Sequence, residues 1–159
     1  MSRLVAVSKR ISVPRRGTAP GGLAVGVLAA MKSRGGLWFG WSGNLSESEP
    51  AEPDITIRRK ITYATIDLRP EDYELYYMGF CNGALWPLFH YLVGHVNFVA
   101  REYEAYCRVN ERFASVIAEH ARPGDIIWVH DYHLMLLPKM LRDRLRDVRI
   151  GYFLHIPVP

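Results

Sequence analysis

Residues 125–141 read DIIWVHDYHLMLLPKML, and the fold turns on how they divide. Ile126 to Val129 is an apolar run without polar alternation, the pattern of a strand covered on both faces. His130, Asp131, Tyr132 and His133 follow directly, and then a helical run begins. Pro138 falls inside that run, so the helix starts late or kinks there. RIGYFLH (149–155) is a second strand of the same kind. Strand, helix and strand with short connections make a βαβ unit, so the two strands are predicted to be parallel. In open parallel sheets ligands bind beyond the carboxyl ends of the strands. HDYH (130–133) follows one such end and HIP (155–157) another. The ionisable side chains therefore fall where a site belongs.

The rest of the chain agrees with an α/β, Rossmann-like domain having a mostly parallel sheet. Leu4 to Val7 reads as a buried first strand, and residues 15–22 as a loop rich in Gly, Pro and Arg. Residues 22–36 read as a helix stopped at Gly35 and Gly36. LWFGW (37–41) is a short strand, 44–54 a polar surface loop, and 55–68 one or two strands around the basic turn Arg58 to Lys60. Residues 69–91 open with Pro70, Glu71 and Asp72, a good helix start, and Gly83 and Pro87 are expected to break that helix. Residues 101–121 put Tyr103, Tyr106, Val109, Phe113, Val116 and Ile117 on one helical stripe that packs on a core.

Composition narrows the function. The 159 residues are 49% hydrophobic, enough for one domain with a real core. The net charge of +4 is spread over small clusters at Lys9/Arg10, Arg15/Arg16, Arg58 to Lys60 and 142–149, with no basic block of the nucleic-acid kind. Cys81 and Cys107 lack zinc spacing and read as reduced core thiols. No secretory signal and no membrane-length apolar run is seen. A soluble cytoplasmic protein with no nucleic-acid or membrane partner is expected.

Several chemistries compete for the ionisable residues. His130, Asp131 and His133 are metal-ligand types, but neighbours on an extended chain point apart and there is no HExxH spacing. Asp131 also suits a helix N-cap, and the histidines suit hydrogen-bonded core or cap positions. PGGLAVGV (20–27) sets Gly21 and Gly22 at a helix start, where backbone N–H groups approach an anion. It matches neither the P-loop nor a clean GxGxxG, and capping or tight packing explains it as well. Arg10, just after the first strand, is placed to hold a phosphate bidentately. Trp41, Tyr77 and Trp86 have the apolar faces that stack on sugar rings, although each also suits a core. Together these features suggest a phosphorylated sugar and a nucleotide.

The blocks RLVAVSKRIS, GGLAVGVLAAM, GGLWFGWSG, YYMGFCNGALWPLFHY, YCRVNERFA, IIWVHDYHLMLLPKMLR and IGYFLHIPVP resemble, in order and spacing, the trehalose-6-phosphate synthase family. They cover essentially the whole chain. The resemblance implies a retaining glycosyltransferase of GT-B architecture, in which two Rossmann-like domains face each other across a cleft. Such enzymes transfer glucose from a nucleoside-diphosphate glucose, commonly UDP-glucose, to glucose 6-phosphate. By the same resemblance Arg10 binds the acceptor phosphate with Tyr77 assisting, and Trp41 and Trp86 line the acceptor pocket. Gly21 and Gly22 lie near the donor diphosphate. Asp131 holds sugar hydroxyls where donor and acceptor meet, supported by His130, Tyr132 and His133, and His155 lies against the donor glucose. Asp131 and His155 are thus the expected catalytic residues. No cofactor and no metal is implied, and a homo-oligomer is an open partner.

Two departures stand out. The family usually has Asn before the arginine, where this chain has Lys9. The chain also ends after HIPVP, so residues 1–159 are expected to be an incomplete, acceptor-side domain. The nucleotide-sugar domain, with the Arg/Lys pair that stabilises the leaving diphosphate, is expected to be absent. The chain alone is then expected to be inactive. The alternatives are a non-catalytic fragment or paralogue that binds a sugar phosphate or joins full-length subunits, and a relative with a cyclitol acceptor, against which Trp41, Tyr77 and Trp86 argue.

Overall fold

The computed structural model describes residues 2–11, 13 and 22–159, with residues 22–24 given by backbone alone. Six strands form one sheet in the order β3-β4-β2-β1-β5-β6. They are β1 (Leu4–Arg10), β2 (Gly36–Leu45), β3 (Asp54–Arg58), β4 (Ile61–Leu68), β5 (Ile126–His130) and β6 (Arg149–Phe153). Every pairing is parallel except β3 with β4, a hairpin whose turn places Arg59 at φ 56°. The fold class read from the sequence is the one observed. β2 runs longer than LWFGW because Gly36 and residues 42–45 continue its pairing.

The sheet has a core on each face. Helix α1 (Gly22–Arg34) lays Val27 and Met31 against Leu4, Ala6, Trp38, Ile61 and Tyr63. It stops where expected: Gly35 takes φ 72° and donates its N–H to the Met31 carbonyl at 2.7 Å, a left-handed helix end. On the other face Val5, Val7, Phe39, Ile127 and Val129 meet the long α4 (Ala100–His120), whose Tyr106, Val109, Phe113, Val116 and Ile117 are buried as the stripe predicts. Tyr103 of that stripe is 47% exposed, so the packed face is narrower at its start.

One expectation fails. The helix beginning at Pro70 is not broken at Gly83 or Pro87. It runs as α2 (Pro70–Asp72), a wider π-helical stretch (Tyr73–Leu85) and α3 (Trp86–Phe89). Pro87 lacks the N–H that an α-helix would give to the Gly83 carbonyl. That carbonyl instead accepts the Asn97 N–H at 2.9 Å, and Trp86 reaches one residue further back, to Cys81. The change of winding accommodates the proline without stopping the helix. Pro138 does what was expected of it: α5 (Leu137–Arg144) starts late, after a 3₁₀ turn at Tyr132–Leu134.

From β1 the chain builds outward to β2 and β4 on one side, then returns to lay β5 and β6 on the other. The strand order therefore reverses between β1 and β5. In a doubly wound sheet that reversal opens a crevice at the carboxyl ends of the two strands. Among the described residues no helix is long and apolar enough to cross a membrane.

Candidate functional site

The crevice between β1 and β5 is lined by chemistry from four directions. The end of β1 supplies Lys9 and Arg10. The end of β2 supplies Trp41, which is 4% exposed and donates its indole N–H to the Asn44 carbonyl at 2.6 Å. The π-helical stretch supplies Tyr73 and Tyr77, whose ring centroids lie 5.7 and 6.4 Å from that of Trp41. Both cations lie against these rings. The Arg10 guanidinium carbon is 5.5 Å from the Trp41 centroid, and Lys9 Nζ is 3.6 Å from that of Tyr77 and 5.8 Å from that of Trp41. Among the described residues no carboxylate pairs with either cation.

Gly43 makes room for Arg10. Its φ is +95°, and a Cβ there would stand 2.8 Å from Arg10 Nη2 and 3.0 Å from Cζ. A side chain at 43 would be strained in itself and would displace the guanidinium. Sequence reasoning passed over this glycine. Its only sign was its place in WSGN, just past the strand.

At the end of β5 the backbone turns sharply. Asp131 has φ 75° and ψ 168°, a conformation seldom seen away from glycine. Its N–H donates to the Phe153 carbonyl at 2.8 Å, tying β5 to β6. One carboxylate oxygen, Oδ1, accepts the N–H groups of Tyr132 (3.0 Å) and His155 (3.3 Å). The capping role weighed for Asp131 is thus observed, but it occupies one oxygen. Oδ2 lies 3.9 Å from His133 Nδ1, and the side chain keeps 19% of its surface open.

The two histidines beside Asp131 are buried and neutral. Burial, reinforced by the Lys9 charge, pushes His133 down to about 3, and its ring lies against Tyr132 (3.9 Å between centroids) and Tyr77 (5.9 Å). Burial, then the neighbouring His155, pushes His130 down to about 4. His130 Nδ1 is 3.0 Å from Nε2 of the exposed His155. A neutral imidazole offers one donor and one acceptor, so His130 can complete this contact as a hydrogen bond to the His155 ring.

A shell of hydroxyls and an amide, missed by the sequence reading, holds residues 132–135. Tyr106 Oη donates to the Tyr132 carbonyl at 2.7 Å and accepts the Met135 N–H at 3.0 Å. The His133 carbonyl accepts from Tyr76 Oη and Asn110 Nδ2, each at 3.1 Å. The available signal was polar groups on apolar helical faces: Asn110 beside Val109, and Tyr106, which the stripe presented as plain core.

The remaining expected residues are placed differently. Trp86 is 40% exposed, stacks on His90 at 4.0 Å and, among the described ring pairs, does not touch Trp41 or Tyr77. Gly22 is the first residue of α1, and Gly21 lies outside the described residues. Among the described residues no three His, Cys, Asp or Glu side chains converge as a metal-ligand set.

A mostly parallel sheet with cations, aromatic faces and a strained carboxylate gathered at its switch point defines a Rossmann-like domain of the GT-B glycosyltransferase class. The chain belongs to glycosyltransferase family 20, whose family profile matches residues 9–159. It is 47% identical over 160 residues to the trehalose-6-phosphate synthase of Cronobacter sakazakii, covering 100% of this chain and 34% of that protein. The crystal structure of an alpha,alpha-trehalose-phosphate synthase (UDP-forming) from Burkholderia vietnamiensis superposes with a TM-score of 0.93 at 46% identity, over 100% of this chain and 35% of that one. The enzyme of that kind from Burkholderia xenovorans, solved in complex with glucose-6-phosphate, gives 0.89 at 44% identity over 99% of this chain and 35% of that one. The chain spans about a third of the length of the relatives it matches.

Proposed function

We propose that the chain is the acceptor-side part of a retaining glycosyltransferase that moves glucose from UDP-glucose to glucose 6-phosphate, giving trehalose 6-phosphate. The observation that carries this reading is the placement, at the ends of the neighbouring strands β1 and β5, of Arg10 on its aromatic bed and of Asp131, whose Oδ2 accepts no hydrogen bond among the described residues. A sugar phosphate needs a cation at one end and hydroxyl acceptors at the other. Arg10 takes the phosphate with two parallel N–H donors. Tyr77 and the small exposed part of Trp41 give the pyranose an apolar wall. Asp131 Oδ2 accepts from sugar hydroxyls while Oδ1 remains held by backbone, so the carboxylate is oriented before substrate arrives. His155 stands beside it as the group nearest the donor sugar, and Trp86 and the Gly21/Gly22 helix start complete the acceptor and donor sides. The names of the relatives support both substrates: one is UDP-forming and another was crystallised with glucose-6-phosphate.

The chemistry is electrostatic. In a front-face displacement a leaving phosphate oxygen takes the proton of the attacking hydroxyl, and stabilising the departing diphosphate is the main term. By resemblance, those cations belong to the family's second domain. Transfer is therefore assigned to this domain acting with that one, and the isolated chain is expected to bind acceptor without turning over. The free thiols Cys81 and Cys107 suit a reducing, cytoplasmic setting.

The test is a transfer assay on a protein carrying this chain together with a family second domain, supplied with UDP-glucose and glucose 6-phosphate. Trehalose 6-phosphate of retained anomeric configuration is expected. Hydrolysis of UDP-glucose without transfer, or transfer to unphosphorylated glucose at an equal rate, would contradict the reading.

A further inference from the structure

Lys9 is the residue for which the proposed reaction has so far given no task. It sits on the sheet face that carries Val5 and Val7, half-buried, with Nζ directly over the Tyr77 ring and within cation–π range of Trp41. Arg10 lies against the same indole. Two adjacent cations thus share one aromatic bed. Among the described residues neither has a carboxylate partner, and Asp131, on the neighbouring strand end, is beyond ion-pair range of both. Elsewhere the protein does pair such groups: Arg3 meets Asp125 at 2.6 Å and Arg108 meets Asp72 at 2.7 Å. A half-buried lysine held only by ring faces is poorly compensated, because desolvation penalises its charge until an anion arrives. Burial holds Lys9 below the ordinary lysine range, and outweighs the opposing influence of Tyr77 and Cys81.

We propose that Lys9 is a second cation of the anion site and strengthens its preference for a dianionic phosphate over an uncharged sugar. This rests on the acceptor site proposed above and adds a specificity-determining residue to it. A phosphate monoester carries nearly two negative charges at neutral pH, which matches Lys9 and Arg10 together. The asparagine usual in the family would give hydrogen bonds at this place and no charge. Lys9 keeps its ammonium mobile on a flexible stem, as a point charge beside the fixed fork of Arg10. On phosphate binding Nζ moves from the Tyr77 face to a phosphate oxygen, and the ring is freed to meet the sugar.

The test compares the wild-type chain with Lys9→Met, Lys9→Asn and Lys9→Arg by calorimetric titration with inorganic phosphate and with glucose 6-phosphate. Met keeps a stem against the ring and removes the charge; Arg keeps the charge. Met and Asn should weaken phosphate binding about ten-fold or more, and Arg should largely retain it. Affinities of the Met and Asn variants within about two-fold of wild type would overturn the role of Lys9, as would a wild-type chain that does not bind phosphate. Failure of the acceptor assignment looks different. Phosphate binding would then depend on Lys9, and glucose 6-phosphate would bind no better than phosphate itself.

Discussion

His130 and His155 join the ends of two neighbouring strands through one hydrogen bond, Nδ1 to Nε2 at 3.0 Å. His130 Nε2 is buried with no partner among the described residues. A bare acceptor is the less costly group to leave unpaired there, so the proton sits on His130 Nδ1 and His155 Nε2 accepts it. That choice leaves Nδ1–H as the donor of the His155 ring. His130 is thus a positioning residue for His155.

The buried histidines make stability depend on pH. In the unfolded chain a histidine titrates near 6.5, whereas His130 and His133 are held down to about 4 and about 3. Between those limits the unfolded chain binds protons that the folded chain refuses. Stability is therefore intact above pH 6.5 and falls as pH falls toward 4, by up to about 1.4 kcal/mol per pH unit for each ring. Urea denaturation at pH 7, 6 and 5 measures the slope. His133→Phe keeps a ring against Tyr132 and Tyr77 and should reduce the slope by about half, leaving the part that His130 contributes; an unchanged slope would show that His133 is not a group refusing the proton.

Tyr106→Phe should cost about 1–3 kcal/mol, because it leaves the Tyr132 carbonyl and the Met135 N–H without their partner. The same denaturation curves read the loss. A variant as stable as the wild type would mean that water replaces the hydroxyl, and that this shell does not hold the 132–135 turn.

Gly43→Ala strikes Arg10 through the backbone. The residue is at φ +95° and the new methyl meets the guanidinium. A loss of about 1–2 kcal/mol in stability is expected from the conformation alone, together with weaker phosphate binding as Arg10 is displaced. Thermal melts paired with phosphate titration separate the two effects. Wild-type phosphate affinity in the variant would show that Arg10 does not need its present position.

The parallel sheet, its two-sided core and the gathering of candidate residues at strand ends were legible because they follow from local pattern. The apolar runs 4–7 and 126–129 announced buried strands, and a site at their carboxyl ends is what the topology leads one to expect. Residues 149–153 read as a strand of the same kind, but β6 lies at the end of the sheet with most of its residues exposed. The winding of residues 73–85 was not legible, because it depends on Asn97 reaching back to the Gly83 carbonyl from a later turn. Nor was the pairing of His130 with His155, 25 residues apart, which exists only once β5 and β6 are in register. Asp131 read as either a cap or a sugar ligand. Oδ1 takes the capping role, the proposed sugar contact falls to Oδ2, and no sequence pattern shows how a carboxylate is shared.

Asp131→Asn separates the two roles in the assembled transferase. Asparagine has nearly the shape of aspartate, bears the same backbone strain and caps about as well, so the melting temperature should barely move. It offers one acceptor oxygen and no charge. With the amide oxygen kept on the Tyr132 and His155 N–H groups, the crevice receives an NH₂, and kcat/KM should fall at least about ten-fold. An active variant with an unchanged melt would leave Asp131 as a cap alone.

The most direct measurement is an amide and side-chain NMR titration of the chain with glucose 6-phosphate, with glucose run in parallel. The account predicts saturable shifts concentrated at Lys9, Arg10, Trp41, Tyr77, Asp131 and His155, at concentrations where glucose produces none. In Arg10→Ala the affinity should be lower by about ten-fold or more, the loss expected for a charge-assisted phosphate contact. Shifts that gather away from the carboxyl ends of β1 and β5, or that glucose reproduces at equal concentration, would contradict it.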